Sequence, residues 1–338
     1  MFNLLYIFFM NLLRHDLYIG PAKTFIDPRI PVERAIITHA HGDHARSGHG
    51  HVLATPETIG LMKLRYGEDS AKHWQELSYG ETISIEGVNV SLHPAGHILG
   101  SAQVLLESKA QRIVVSGDYK RYSDGTCPAF TPLSCDIFVT EATFGLPVFQ
   151  HPDPHGEIRK LLTSMKNFPD QSHMIAVYAL GKAQRVISLI RQEGYTDPIY
   201  LHGAMVNMCD FYQRNGIDLG ELRKATGLPK DALKGCLVLA PPSTLKEPWS
   251  RRLTDPVLGM ASGWMTVKQR ARQYGVELPL VISDHADWNE LCQTIRETGA
   301  GEIWVTHGRE DALVHWCETQ GLKAAPLHLQ GREDEEEA

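Results

Sequence analysis

The chain has no Cys-x-x-Cys pair, and no two of its six cysteines (Cys127, Cys135, Cys209, Cys236, Cys292, Cys317) stand closer than eight positions. That scarcity excludes a zinc knuckle and a disulfide framework and leaves buried, reduced thiols as the expectation. Internal repeats are missing, and so is low-complexity sequence outside the acidic end, which excludes solenoids and fibrous arrays. Long apolar runs are missing too. The strongest, Phe2 to Leu13, is about a dozen residues, short of the roughly 20 that a spanning helix needs. No basic residue precedes it and no small-residue cleavage site follows, so it makes a poor signal peptide. We expect Met10 to be the native start and residues 1–9 an extension, with an added edge strand as the alternative and no membrane association. The charged fraction of 22% and the hydrophobic fraction of 43% are those of a globular, intracellular (cytoplasmic) enzyme, and 338 residues suggest one large or two ordinary domains.

What the sequence does have is concentrated at residues 38–44, Thr-His-Ala-His-Gly-Asp-His. His39, His41, Asp43 and His44 are four groups of metal-ligand type within six positions, and imidazole with carboxylate suits zinc and its neighbours. Ala35-Ile36-Ile37-Thr38 before them is a β-branched run, as expected of a buried strand. The same arrangement recurs three times. Val88 to Leu92 precedes His97, Arg112 to Val115 precedes Asp118, and Ile303 to Val305 precedes His307, each beside a glycine. Polar groups at the ends of apolar strands gather at one sheet edge. Seven ligands with one bridging carboxylate satisfy two divalent ions, each keeping a position for water or substrate.

The order His-x-His-x-Asp-His, then His, then Asp resembles the metallo-β-lactamase superfamily. The resemblance implies an α/β fold of the αββα sandwich type. It implies His39, His41 and His97 as ligands of one metal, Asp43 and His44 as ligands of the other, Asp118 as the bridge and His307 as the late ligand. Thr140-Glu141-Ala142-Thr143-Phe144-Gly145 and Tyr178 to Gln184 resemble motifs of the β-CASP branch, whose members process nucleic acids. Ala261-Ser262-Gly263-Trp264 and Ile282 to Asp287 complete that set. Glu141 and His285 match its acidic and first histidine positions. From about residue 12 to 330 the chain is most similar to the bacterial exonuclease family associated with an ATP-dependent DNA ligase. That likeness rests on Ile26-Asp27-Pro28, Arg34 to His41, Ser116 to Arg121 and Phe144 to Phe149.

These motifs imply a metallo-β-lactamase domain over 10–150, an inserted β-CASP α/β cap over 151–270 and a return over 271–330, with strands at 280–282 and 303–306. An acidic, disordered tail is expected at 331–338. Thr55 followed by Pro56 predicts a helix start, and apolar spacing predicts helices over 156–166 and 182–193. The net charge of −7 includes five acids of the tail; with those set aside the remainder is −2. This charge argues against long nonspecific tracking along DNA and permits local capture of a strand end.

The expected activity is metal-assisted phosphodiester hydrolysis on two ions, Zn2+ with Mn2+ as the alternative. Asp43, Asp118, Glu141 and His285 are its catalytic groups, with His285 supported by Glu141 as the donor to the leaving oxygen. Lys120, Arg121, Lys182 and Arg185 are the expected substrate contacts. A second basic stretch (Lys246, Arg251, Arg252, Lys268, Arg270, Arg272) lies near Trp249 and Trp264, which are available for base stacking. His49, His51 and His93 match no ligand slot. Asp284 or Asp287 is expected to orient His285. The expected function is a DNA exonuclease in repair, acting on single strands or strand ends in association with the ligase. The alternative, favoured by a histidine at 307, is an RNase. A thioester or lactam hydrolase on the same metal core is disfavoured by Glu141 and the inserted segment.

Overall fold

The structure, a computed structural model, describes residues 12–247, 249 and 253–327. The residues expected to precede the native start, Arg251, Arg252 and the acidic tail lie outside those described. Apolar strands pair into three sheets. The first has five strands in sequential order: β1 (Tyr18–Ile19), β2 (Thr24–Ile26), β3 (Arg34–Ile36), β4 (His49–Ala54) and β5 (Ala71–Glu76). The second has seven. β6 (Thr82–Ile85), β7 (Val88–Pro94), β8 (Ala102–Glu107), β9 (Arg112–Val115), β10 (Ile137–Ala142), β17 (Glu302–Gly308) and β18 (Lys323–Pro326) run in spatial order β18-β17-β10-β9-β8-β7-β6.

Side-chain parity explains how these two sheets stack. Successive residues of a strand point to opposite faces. In β9, Ile113 and Val115 join one buried cluster and Val114 another; β10 repeats this with Ile137 and Val139 against Phe138, and β17 with Trp304 against Ile303 and Val305. The first cluster also contains Ile26, Ile36 and Leu53 from the five-stranded sheet, so it is the layer between the sheets. The second is closed by α6 (Trp288–Thr298) and α7 (Glu310–Thr319) through Leu291, Ile295 and Leu313. On the outer face of the first sheet, Val52 and Ala54 pack with Ile59 and Met62 of α1 (Pro56–Tyr66). Thr55 caps α1 by accepting the Thr58 N–H at 3.2 Å, as the sequence predicts. Helix, sheet, sheet and helix thus form four layers.

The third sheet is interposed between β10 and β17, which are themselves parallel neighbours. It comprises β11 (His173–Ala176), β12 (Ile199–Leu201), β13 (Leu222–Lys224), β14 (Leu237–Ala240), β15 (Val257–Ala261) and β16 (Leu278–Leu280), all parallel, in order β13-β12-β14-β11-β15-β16. Parallel strands are buried on both faces, and β14 divides accordingly, Leu237 and Leu239 to one cluster and Val238 and Ala240 to another. Its helices include α2 (Pro154–Asn167), α3 (Lys182–Gln192), α4 (Gly203–Arg214) and α5 (Lys268–Tyr274). One boundary moves. The chain was expected to rejoin the first domain at 271, with residues 280–282 as one of its strands, but β16 pairs with β15 and extends the third sheet to Leu280. A three-residue apolar strand fits either sheet, and only its partner decides.

Candidate metal centre

The motif side chains converge where the strands of both sandwich sheets end. His39, His41, Asp43 and His44 occupy the turn after β3, His97 follows β7, and Asp118 follows β9. His307 reaches the same place by a bulge in the β10–β17 ladder. Glu141 pairs with Thr306 and Ala142 with Gly308, so His307, at φ 61°, falls in the register shift between them. Gly308 makes the bulge possible: its φ is 108°, and a Cβ there would lie 2.2 Å from the Ala142 carbonyl oxygen.

Two buried groups result, with the ligand-type atoms of each within 4.8 Å of one another. One is His39, His41, His97 and Asp118; the other is Asp43, His44, Asp118 and His307. Asp118 belongs to both. Its Oδ2 lies 3.4 Å from His39 Nε2, 3.4 Å from His44 Nε2 and 3.9 Å from His97 Nε2. Asp43 Oδ2 lies 3.4 Å from His44 Nε2 and 3.6 Å from His307 Nε2.

Chemistry within the groups suits cations. His39 Nε2, His44 Nε2 and Asp118 Oδ1 are buried with no hydrogen-bond partner, a costly state for polar atoms unless an ion satisfies them. His41 Nε2 lies 3.2 Å from the Leu180 carbonyl and His97 Nδ1 lies 2.8 Å from the Asp284 carbonyl. A carbonyl only accepts, so each of these nitrogens carries the proton. The opposite nitrogens, His41 Nδ1 and His97 Nε2, then face each other at 2.9 Å as two lone pairs. Two acceptors at that distance repel, and a cation between them reverses the sign.

Charge neighbours divide the histidines. Burial, then the neighbouring His44, pushes His39 down to about 4. Burial also holds His97 well below its ordinary value, with His285 next in effect. Burial would lower His44 as well, but the carboxylates of Asp118 and Asp43 raise it well above the usual imidazole range. Asp43 and Asp118 resist the upward push of burial, mainly because His44 lies alongside, and stay well below the carboxylate range.

Sequence reasoning missed Asp27, at the end of β2. Its Oδ2 accepts from His44 Nδ1 at 2.8 Å and from the Thr38 hydroxyl at 2.7 Å, while Oδ1 accepts the Thr38 N–H at 2.7 Å. A carboxylate closing a strand was the available signal. Hydrogen bonds of this kind fix the tautomer and direction of a ligating ring.

Beside the two groups, His285 Nδ1 lies 2.9 Å from Glu141 Oε2, and Glu141 Oε1 accepts the Tyr119 N–H at 2.7 Å. Glu141, not Asp284 or Asp287, therefore orients His285. The Asp284 carboxylate pairs with Lys182 at 2.8 Å, and Asp287 caps α6 through the Glu290 N–H at 3.0 Å. Burial opposes a charge on His285, yet the Glu141 carboxylate raises it well above the ordinary value.

The four expected substrate cations are each committed to a carboxylate. Lys120 is buried against Asp124, and Arg185 Nη1 lies 3.3 Å from the same group. Lys182 is buried against Asp284, and Arg121 meets Glu297 at 2.7 Å. Lys120, Lys182 and Arg185 thus sit in buried ion pairs, whose separation would leave an uncompensated charge, whereas the Arg121–Glu297 pair is partly exposed. Lys120 and Arg185 nevertheless line a cavity of about 540 Å³ that also reaches His151, His285, Asp287 and Glu290, a size within the range of ligand pockets. Trp264 is not available for stacking on bases: it is buried against Phe144 and Phe149, with Arg270 4.1 Å above its ring. Trp249 packs on His202 at 4.8 Å. His49 is fully buried and accepts the Val32 N–H at 3.2 Å, a structural duty.

No family model matches the chain. It is 27% identical over 315 residues to a protein named probable DNA ligase from Opitutus terrae, an alignment spanning 92% of this chain and 30% of that protein. It is 28% identical over 209 residues to an RNase J-like protein of Methanocaldococcus jannaschii, spanning 54% of this chain and 50% of the relative. The chain thus spans half or less of the length of these two relatives. Others are named endoribonuclease ysh-1, from Neurospora crassa, and ribonuclease TTHA0252, from Thermus thermophilus. A crystal structure of a protein of unknown function from Enterococcus faecalis shares the fold, with a TM-score of 0.56 at 14% identity over 86% of this chain and 78% of that one. The two clusters offer donor sets that suit divalent metal ions. Among the described residues, no helix is long and apolar enough to cross a membrane.

Proposed function

We propose that the chain is a two-metal phosphodiesterase acting as a DNA exonuclease at single strands or strand ends, in functional association with an ATP-dependent DNA ligase in the cytoplasm. The observation that carries the chemistry is the pair of buried ligand groups sharing Asp118, with His285 and Glu141 alongside. The probable DNA ligase relative, aligned over 92% of the chain, supports DNA as substrate. Trimming of ends is a step that ligation can require.

In this reading His39, His41, His97 and Asp118 hold one ion and Asp43, His44, Asp118 and His307 the other. Zn2+ suits the imidazole-rich set and Mn2+ is the alternative. When bound, the ions neutralise phosphoryl oxygens and bring the pKa of water toward neutrality. The protein's own groups do the rest. Glu141 accepts from His285 Nδ1, so the proton on Nε2 is the one donated to the leaving oxygen. Asp43 relays protons at the nucleophile's side. The unit built on the third sheet acts as an inserted β-CASP cap, and its cavity, with Lys120 and Arg185 in the wall, receives substrate next to His285.

RNA as substrate is the second reading. His307 and the ribonuclease names of several relatives favour it. Digestion of end-labelled single-stranded DNA and same-sequence RNA, alongside metal analysis and the Asp118→Ala protein, separates the two. Stepwise shortening of DNA by the native protein only is the expected result. Cleavage of RNA alone would transfer the site to transcript processing, and no cleavage of either, with about two ions bound, would overturn the nuclease reading.

A further inference from the structure

The two proposed ion positions are oriented by different parts of the molecule. The second position belongs to the sandwich: His44 is held by Asp27 at the end of β2, and His307 by the bulge between β10 and β17. In the first position His39 is also held from the sandwich, its Nδ1 lying 3.0 Å from the Thr38 hydroxyl, but the holders of His41 and His97 come from elsewhere. The carbonyl on His41 Nε2 is that of Leu180, in the loop between β11 and α3. The carbonyl on His97 Nδ1 is that of Asp284, just after β16, and the Asp284 side chain is gripped by Lys182 at the first residue of α3.

The same unit clamps the turn that carries His97. Gly181, at φ 84°, packs so closely that a Cβ there would lie 2.2 Å from Ile98 Cγ2. Tyr212 of α4, fully buried, takes the Leu99 N–H on its hydroxyl at 3.0 Å. Four contacts therefore run from the third-sheet unit and its exit segment to one ion's surroundings, two to the ligands His41 and His97 and two to Ile98 and Leu99 beside them. Of the other ion's ligands, His44 is held by Asp27 and His307 stands in the sandwich ladder at the bulge.

We propose that the third-sheet unit sets the affinity of the first ion position, with Lys182 and Tyr212 as positioning residues, and that the second position is independent of it. The inference rests on the two-ion reading above. Hydrogen bonds that aim a ligating imidazole are worth 10–100-fold in metal affinity, so loosening them weakens one ion and leaves the other. Seating of the unit and loading of the first ion are then one equilibrium: whatever unseats the unit releases that ion, and that ion in turn holds the unit closed.

The test is metal retention rather than turnover. Native, Lys182→Met, Tyr212→Phe and Asp27→Asn proteins are loaded with zinc, equilibrated against graded chelator and assayed for bound metal, with X-ray absorption counting imidazoles on the ion that remains. The native protein is expected to keep two ions. Lys182→Met and Tyr212→Phe are expected to release one at about 10-fold lower chelator strength, and the ion they retain should sit in the set with two imidazoles. Asp27→Asn, which loosens His44 directly and His39 only through Thr38, should release the second ion at lower chelator strength than the first. Tyr212→Phe deletes one hydroxyl and guards against a folding defect in Lys182→Met. If both variants hold two ions as tightly as native, or lose both ions together, the inference is overturned while the nuclease reading stands. A native protein that binds no ion overturns both.

Discussion

The Asp27 carboxylate, on a left-handed backbone position at φ 46°, accepts from the Thr38 N–H, the Thr38 hydroxyl and His44 Nδ1, and so fixes His44 and Thr38 at once. The ligand-type residues were legible in the sequence because coordination demands particular residue types at short spacing. Asp27 was not, because its partner lies 17 positions away and only the β2–β3 pairing brings them together. The pairing of Glu141 with His285, 144 positions apart, was legible only through the family resemblance and not from spacing. Their pairing makes a prediction. Replacing Glu141 by Gln keeps the shape but removes the charge that raises His285, so burial, which lowers it, takes over. The imidazole's pKa falls, the protonated fraction at neutral pH shrinks, and the alkaline limb of the kcat profile moves to lower pH. Loss of general-acid function on this scale is worth about 100-fold in kcat. An unmoved alkaline limb would exclude His285 as the donor. A second residue tests stability instead. Burial first, opposed by the Asp287 N–H, pushes Glu290 up to about 7 from 4.5. The folded state thus holds this proton more tightly than the unfolded chain does. The stabilisation is complete below pH 4.5 and is lost as pH rises through 7. Glu290→Gln should therefore gain about 1–2 kcal/mol on native at pH 8 and nothing at pH 4.5, which urea unfolding at the two pH values reads directly.

Among elements, the strands that end in ligands were the legible ones, because an apolar run closed by a polar group and a glycine marks a strand end and little else. β4 and β5 were missed. His-Gly-His-Val-Leu-Ala and Ala-Lys-His-Trp-Gln-Glu mix polar and apolar residues without clean alternation, and their strand state comes from pairing with β3 and with each other. The bulge at His307 was equally invisible, since a register shift is a property of two strands together. Gly308→Ala is its test. The new methyl would meet the Ala142 carbonyl at 2.2 Å on a backbone already at φ 108°, so the ladder must shift at a cost above about 2 kcal/mol. We expect a lower melting temperature together with loss of the ion that His307 serves. A protein that melts lower yet still holds two ions would show that the bulge serves packing and not the site.

At the scale of the whole molecule, charge is the quantity that a nucleic-acid enzyme most needs and that this chain least supplies. The net charge is −7, and the basic residues nearest the site, Lys120, Arg121, Lys182 and Arg185, already face carboxylates. The sequence displayed these cations but not their partners, of which Asp284 and Glu297 lie more than 100 positions away. Affinity that came from neutralising many phosphates would fall steeply with salt, with a slope close to −0.7 per contact on single strands. Here the cavity beside His285 and the two ions are the proposed grip, and both act on one or two nucleotides. Binding of a fluorescent single-stranded DNA to metal-loaded Glu141→Gln protein, followed by anisotropy from about 50 to 200 mM salt, should give a log–log slope no steeper than about −3. A slope beyond about −6 would mean an extended basic track that breaks several of these ion pairs on binding, and the enzyme would then hold its substrate along a strand and not at an end.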